Sequence, residues 1–94
     1  MIPEPPAEVV VLAEPGLEVE AAEVARFCRA SRSVAVDYEP RSLRAKMRSA
    51  NKLGARWVVL LGAPDVQRHV AQLKDMASGE QVEVPWQALA DSLA

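Results

Sequence analysis

A run of cations is the feature of this sequence with the clearest chemical use. From residue 40 to residue 64 the chain carries Lys and Arg but no Asp or Glu. A helix over residues 42–53, at about 100° per residue, brings most of these cations to one side. Extended backwards by one residue, that face holds Arg41, Arg44, Arg48 and Lys52. Such donors suit phosphate oxygens, which dominate the affinity of proteins for nucleic acids. The alternative is an ordinary solvated face, because any amphipathic helix needs one.

Aromatic side chains are few, and one of them lies where a ligand could reach it. Tyr38 comes at the predicted end of the second strand, and in open parallel sheets ligands bind beyond the carboxyl ends of the strands. A tyrosine there could stack on a nucleic-acid base, or it could be an ordinary edge residue. Trp57 and Trp86 open an apolar strand and the last helix, and we predict that both pack in the core.

Catalytic and metal-binding chemistry has little support in the sequence. His69 is the only histidine and Cys28 the only cysteine, whereas a structural zinc site needs about four nitrogen or sulfur ligands. No nucleophile and base can be paired, and the glycines form no phosphate-binding loop. Asp37 and Glu39 lie close together, but acid–base catalysis would need a pocket around them. We therefore expect no catalytic site, no metal and no cofactor in this chain.

The composition is that of one small globular domain of 94 residues, half of them apolar. Its charge is uneven, because residues 1–25 hold six Glu and no Lys or Arg, whereas residues 26–56 hold nine Lys and Arg against two acids. This asymmetry predicts one positive face on an acidic protein. The single cysteine, the lack of a membrane-length apolar run and the lack of a signal peptide favour a cytoplasmic location.

The elements that would hold these residues alternate between strand and helix. Residues 1–7 contain three prolines and are predicted to be a linker. We predict strands at 8–12, 33–38, 56–62, 70–76 and 81–84, helices at 17–30 and 42–53, a helical turn from Pro64 and a last helix from Pro85. Ser42 and Gly54 are the expected caps of the second helix. This order predicts an α/β fold: a mixed five-stranded sheet, with a parallel β-α-β-α-β part, an antiparallel hairpin and helices on both faces.

Two stretches carry a resemblance to a known family. RSLRAKMRSANKLGARWVVLLG (41–62) resembles the C-terminal anticodon-binding domain of histidyl-tRNA synthetases, a class II aminoacyl-tRNA synthetase, in its basic helix and in the apolar strand ending in Leu-Gly. The matching residues are Ala50, Lys52, Gly54, Ala55, Leu61 and Gly62. LKDMASGEQVEV (73–84) is similar to the family's lysine-bearing strand, S/T-G-E-Q turn and return strand. The resemblance covers residues 8–94, which are predicted to form one anticodon-binding domain.

The resemblance implies a five-stranded mixed sheet with three helices and binding of a tRNA anticodon stem-loop, histidine tRNA being expected, with no chemistry of its own. The RNA would lie near Arg41, Arg44, Arg48 and Lys52, with Lys46 and Tyr38 as further candidates. The family often has an acidic residue soon after the Leu-Gly and then a glycine. Here Asp65 and, further on, His69 occupy that region.

Three explanations fit a chain of this kind. It is the excised domain of a histidine–tRNA ligase, with the catalytic domain in cis or in trans, or it is a naturally separate relative that binds RNA. In the third, a free-standing relative has lost RNA recognition and acts as a regulatory or protein-interaction module, through a sheet edge or an exposed Trp86.

Overall fold

A computed structural model describes residues 8–37 and 42–93. The strands are β1 (Val9–Ala13), β2 (Val34–Asp37), β3 (Trp57–Leu61), β4 (Val70–Asp75) and β5 (Gln81–Pro85). The α-helices are α1 (Glu18–Arg29), α2 (Leu43–Leu53), α3 (Ala63–Arg68) and α4 (Leu89–Leu93), and a 3-10 turn, Trp86–Ala88, precedes α4. The predicted linker, residues 1–7, lies outside the described residues.

One mixed sheet joins the five strands in the order β2-β1-β3-β4-β5. β1 pairs in parallel with β2 and with β3, so that Val9 lies opposite both Val34 and Trp57. The pairs β3–β4 and β4–β5 are antiparallel, with Trp57 opposite Asp75 and Val70 opposite Pro85. The predicted α/β fold is confirmed, including the central position of the almost wholly apolar β3.

Alternation along β1 divides the core into two layers. Val9 and Val11 are buried among residues of α1, the 3-10 turn and α4, whereas Val10 and Leu12 point the other way, into a cluster with Ala50 of α2. Successive strand residues face opposite sides, so a strand that is apolar at every position is one covered by helices on both faces. The helices therefore lie on both sides of the sheet, as predicted.

The guanidinium of Arg32 connects the first and last parts of the described chain. Its Nε donates a hydrogen bond of 2.7 Å to the carbonyl oxygen of Leu93, and its second nitrogen lies 3.4 Å from a carboxylate oxygen of Glu8. The same group lies 4.9 Å from the ring centre of Trp57, and the Arg56 guanidinium lies 4.3 Å from that centre. These are cation–π distances. Trp57 itself is buried in the main core cluster, so its predicted packing role is confirmed.

The predicted start of the last helix, at Pro85, was wrong. This proline was predicted to open the last helix, but it is the final residue of β5, with an extended ψ of 145°, and the helical turn begins at Trp86. Trp86 is only 4% exposed, and its indole Nε1 donates a hydrogen bond of 2.8 Å to the carbonyl oxygen of Val70. The exposed Trp86 suggested as a protein-binding residue is thus contradicted, because the ring belongs to the core.

Candidate nucleic-acid interface

Both ends of α2 are fixed by the residues predicted to cap it. Ser42 has extended backbone angles, and its Oγ accepts a hydrogen bond of 3.2 Å from the backbone N–H of Ala45. Gly54 ends the helix with a left-handed φ of 73°, and its N–H donates to the carbonyls of Ala50 and Asn51. The N-cap and the left-handed C-cap satisfy groups that a helix leaves unpaired at its ends. The sequence therefore defines where this helix begins and ends.

Three of the predicted cations form what we call the basic face of α2. Arg44, Arg48 and Lys52 are exposed and follow one another at intervals of four residues, which is about 6 Å per step along a helix. None of them has a hydrogen bond or an ion pair with another residue in the described part of the chain. Their donors are therefore available for an external anion such as a phosphate.

Lys46 lies on the opposite side of α2 and is not part of this face. It is 2% exposed, and its Nζ donates hydrogen bonds of 2.9 Å to the carbonyl oxygen of Ala13 and of 3.1 Å to that of Asp37. Its placement among the surface candidates was wrong. On a helical wheel Lys46 is 40° from Ala50, which is buried, so the periodicity itself contained the signal.

Two further candidates, Tyr38 and Arg41, lie outside the described residues. Their roles, stacking on a base for Tyr38 and contacting phosphate for Arg41, stay predictions. Asp37, the last residue of β2, is described, and its backbone carbonyl is one of the two acceptors of Lys46.

The carboxyl edge between β1 and β3 is acidic. A carboxylate oxygen of Glu14 accepts a hydrogen bond of 3.3 Å from the N–H of Ala63, and one of Asp65 accepts a bond of 2.9 Å from the N–H of Gly62. Side chains of the protein thus occupy two backbone donors at the place where parallel sheets usually bind anions. Negative charge at this edge also repels phosphate, so the electrostatics favour the basic face of α2 as the site.

His69 has a backbone conformation that is unusual for a residue with a side chain. Its φ is 54°, the only positive value among the described non-glycine residues, and its ring meets that of Trp86 edge-on at 5.0 Å. The left-handed region favours glycine but tolerates histidine. A residue with a side chain therefore takes, at the C-cap of α3, a backbone conformation that glycine would adopt easily.

Two features of the described residues bear on the chemistry of Cys28 and on metal binding. Cys28 is fully buried, and burial raises the pKa of its thiol from 9.0 to about 11, so the thiolate that reacts or binds metal is rare. Residues 8–37 and 42–93 contain no group of three or more His, Cys, Asp or Glu side chains able to hold a metal ion. No helix among them is both long and apolar enough to cross a bilayer.

Sequence reasoning missed the two cations that flank Trp57. Arg56 is exposed and Arg32 half-buried, and both stand over the indole ring at the amino edge of the sheet. The Arg56–Trp57 dipeptide could have suggested one of them. Arg32 is distant in sequence, and only the parallel pairing of β1 with β2 and β3 brings it there.

A family model described as anticodon binding domain matches residues 8–94. The chain belongs to this family. The match includes the whole described sheet and the basic face of α2. The anticodon-binding domain is 36% identical over 86 residues to histidine–tRNA ligase 2 of Bacillus cereus, covering 92% of this chain and 20% of the relative. It is 40% identical over 65 residues to histidine–tRNA ligase of Geobacillus thermodenitrificans, covering 69% of this chain and 15% of the relative.

Solved structures agree with this assignment. Histidyl-tRNA synthetase from Nostoc sp. PCC 7120 superposes on the anticodon-binding domain with a TM-score of 0.85 and 35% identity, over 93% of this chain and 21% of that one. The RNA binding domain of threonyl-tRNA synthetase from Cryptosporidium parvum has a TM-score of 0.84 at 20% identity, covering 94% and 23%, and shares the fold. The chain spans about a fifth of the length of such relatives.

Proposed function

We propose that this anticodon-binding domain binds a tRNA anticodon stem-loop through the basic face of α2, with histidine tRNA as the target. Arg44, Arg48 and Lys52 contact phosphates of the RNA backbone. The observation that carries the proposal is the arrangement of these three exposed cations at four-residue intervals on a helix that contains no acid. The anticodon bases, unstacked in a loop, are read by neighbouring residues.

The distribution of charge supports this face over the other surfaces. The three cations of the basic face have no ion pair with a carboxylate of the described residues, whereas Arg68, the cation of α3, forms a two-pronged ion pair with Glu83 at 2.6 and 2.9 Å. A paired guanidinium has to give up its partner before it can bind a phosphate, and a free one does not. Binding of RNA at the basic face of α2 therefore breaks no existing ion pair and has the more favourable free energy.

The context in which the domain acts is part of the same proposal. Relatives named histidine–tRNA ligase are several times longer than this chain, so we infer a catalytic synthetase domain as partner, in cis or in trans. The domain contributes selection of the tRNA and needs no cofactor for it. Such a role belongs in the cytoplasm, where tRNA is charged.

The experiment is a binding titration of the 94-residue chain with a histidine-tRNA anticodon stem-loop and with a loop of scrambled anticodon. Each is measured at about 50 and about 200 mM salt, because phosphate contacts make affinity fall steeply with salt. We expect tighter binding to the histidine loop and weaker binding at the higher salt. Equal affinity for both loops would remove the anticodon-reading part of the proposal, and no binding to either would remove all of it.

A pair of matched variants tests the site itself. Arg44→Glu with Arg48→Glu reverses two exposed charges of the basic face and should abolish binding while leaving the fold intact. Arg26→Glu, a charge reversal at an exposed residue of α1 across the sheet, should leave RNA affinity within about threefold of the unaltered chain. If the double variant is folded and binds as well as the unaltered chain, the site is elsewhere.

The rival explanation is a relative that has lost RNA recognition. One of its two supports, an exposed Trp86, is absent because that ring is buried. Failure of the stem-loop titration would nevertheless favour it, and a search for protein partners would follow.

A further inference from the structure

A row of side chains on the outside of α1 has no role in the interface described above. Val19, Glu23, Arg26 and Ala30 are all exposed, Val19 at 77%. Their spacing of four, three and four residues is that of the contact positions of two packed helices. The inner side of α1 is buried in the core through Ala21, Val24, Ala25 and Cys28. The row therefore faces away from the domain, and we call it the outer seam of α1.

Charge along this seam changes sign at its midpoint. Glu18, Glu20 and Glu23 lie in the first half of α1 and Arg26 and Arg29 in the second. Neither the Glu23 carboxylate nor the Arg26 guanidinium has a hydrogen bond or an ion pair with another described residue. Although these two are three residues apart on one helix, they do not pair with each other in the structure. Both charges are free to meet an opposite charge from outside.

The seam is bordered by a groove with an apolar side. Glu23 and Phe27 line two adjoining cavities of about 350 and 360 Å³. The first continues along Arg26 to Ala90 of α4, and the second continues to His69 and Trp86. A helix laid along α1 would bury the exposed edge of Phe27 while keeping its own charged groups at the seam.

We propose that the outer seam of α1 is a self-association surface on which a second copy of this chain docks its own α1 in the antiparallel direction. A two-fold axis level with the middle of the helix brings Glu23 of each copy to Arg26 of the other, and Val19 to Ala30. Opposite charges then meet twice and the apolar ends of the seam cover each other. Parallel docking would put like charges together, so the pattern selects the antiparallel arrangement.

The contact between the two α1 helices buries little surface, and this limits the affinity of the dimer. A helix of 12 residues is about 18 Å long, and with α4 beside it the buried surface stays below the roughly 800 Å² per partner of a standard interface. The association is therefore weak and depends on protein concentration and on salt. It lies across the sheet from the basic face of α2 and is independent of RNA binding.

The experiment is analytical ultracentrifugation of the full chain from about 10 µM to about 1 mM, the range suited to a small interface. We expect a concentration-dependent dimer. Glu23→Arg alone and Arg26→Glu alone each place like charges at the axis and should weaken the dimer at least about tenfold. An equimolar mixture of these two variants should restore it as a heterodimer, and the double variant Glu23→Arg with Arg26→Glu should restore it as a homodimer.

Two controls separate this surface from the rest of the molecule. Arg44→Glu changes the charge equally on α2 and should leave the dimer unchanged. Val82→Glu, at another exposed apolar residue, on the edge strand β5, should do the same, whereas Val19→Glu should weaken the dimer. A chain that stays monomeric at about 1 mM, single reversals that associate normally, or a mixture that does not associate would each overturn the proposal. Circular dichroism of every variant verifies its fold.

Discussion

The ammonium of Lys46 lies 2.9 Å from the carbonyl oxygen of Ala13, the last residue of β1. A second hydrogen bond joins the same ammonium to the carbonyl of Asp37, the last residue of β2. One buried side chain of α2 thus satisfies backbone acceptors at the ends of two parallel strands. It also fixes the rotation of α2, and with it the outward direction of Arg44 and Arg48.

Replacing Lys46 by Met tests this link. The change keeps the length of the side chain but leaves two strand-end carbonyls without their donor, and we expect the free energy of unfolding to fall by about 2–3 kcal/mol. Urea titration measures it. Lys52→Met on the exposed side of the same helix is the control and should change stability by less than about 0.5 kcal/mol. Equal stability of the two variants would mean that the hydrogen bonds of Lys46 contribute little.

Arg48→Gln should weaken RNA binding without changing its selectivity. A phosphate contact carries no sequence information, so affinity for the histidine loop and for the scrambled loop should fall by the same factor. The slope of log affinity against log salt should also decrease by roughly 0.7, the value for one phosphate of a single strand. A loss confined to the histidine loop would show instead that Arg48 contacts a base.

Glu18 makes the stability of the domain depend on pH. Its own backbone N–H and that of Gly16 hold the pKa of its carboxyl below the ordinary 4.5. A pKa lowered on folding gives stability that is complete above 4.5 and is lost as the pH falls through the folded value. Glu18→Gln should therefore be less stable than the unaltered chain at pH 7, with the difference vanishing in acid. Unfolding curves between about pH 7 and about pH 2.5 give the comparison, and a difference that persists in acid would contradict it.

The Cys28 thiol should be unreactive in the folded protein. It is fully buried and its pKa is raised to about 11 by that burial, so both access and thiolate are lacking. We expect alkylation by iodoacetamide at pH 8 to be at least about a hundredfold slower in buffer than in denaturing urea. Comparable rates in the two solutions would show that α1 opens readily from the sheet.

Much of the fold could be predicted because it depends on local chemistry. The apolar run of β3 required burial on both faces, and the Ser42 and Gly54 caps fixed α2 to within a residue. Pro85 could not be assigned locally, because a proline suits both the end of an edge strand and the start of a helix. What decided between them was the pairing of Pro85 with Val70, which is a tertiary contact.

The candidate site was predicted in outline and missed in one detail. Exposure of Arg44, Arg48 and Lys52 followed from helical periodicity and is confirmed. Lys46 was misplaced because its charge was given more weight than its position beside Ala50. A buried lysine needs acceptors, and those of Lys46 are backbone carbonyls that become neighbours only when β1 and β2 align. The pattern of side chains in the sequence does not predict such backbone partners.

The contacts of Arg32 have a consequence for how the domain can be joined to other chains. Because one guanidinium reaches both Glu8 and Leu93, the two boundaries of the described fold meet at a single corner. A short bridge could close that corner and new termini could be cut in the Ser78–Gly79 turn, giving a circularly permuted molecule with the same sheet. By the same geometry both ends of the described fold leave from one corner, which is the arrangement that insertion into a loop of a host protein requires.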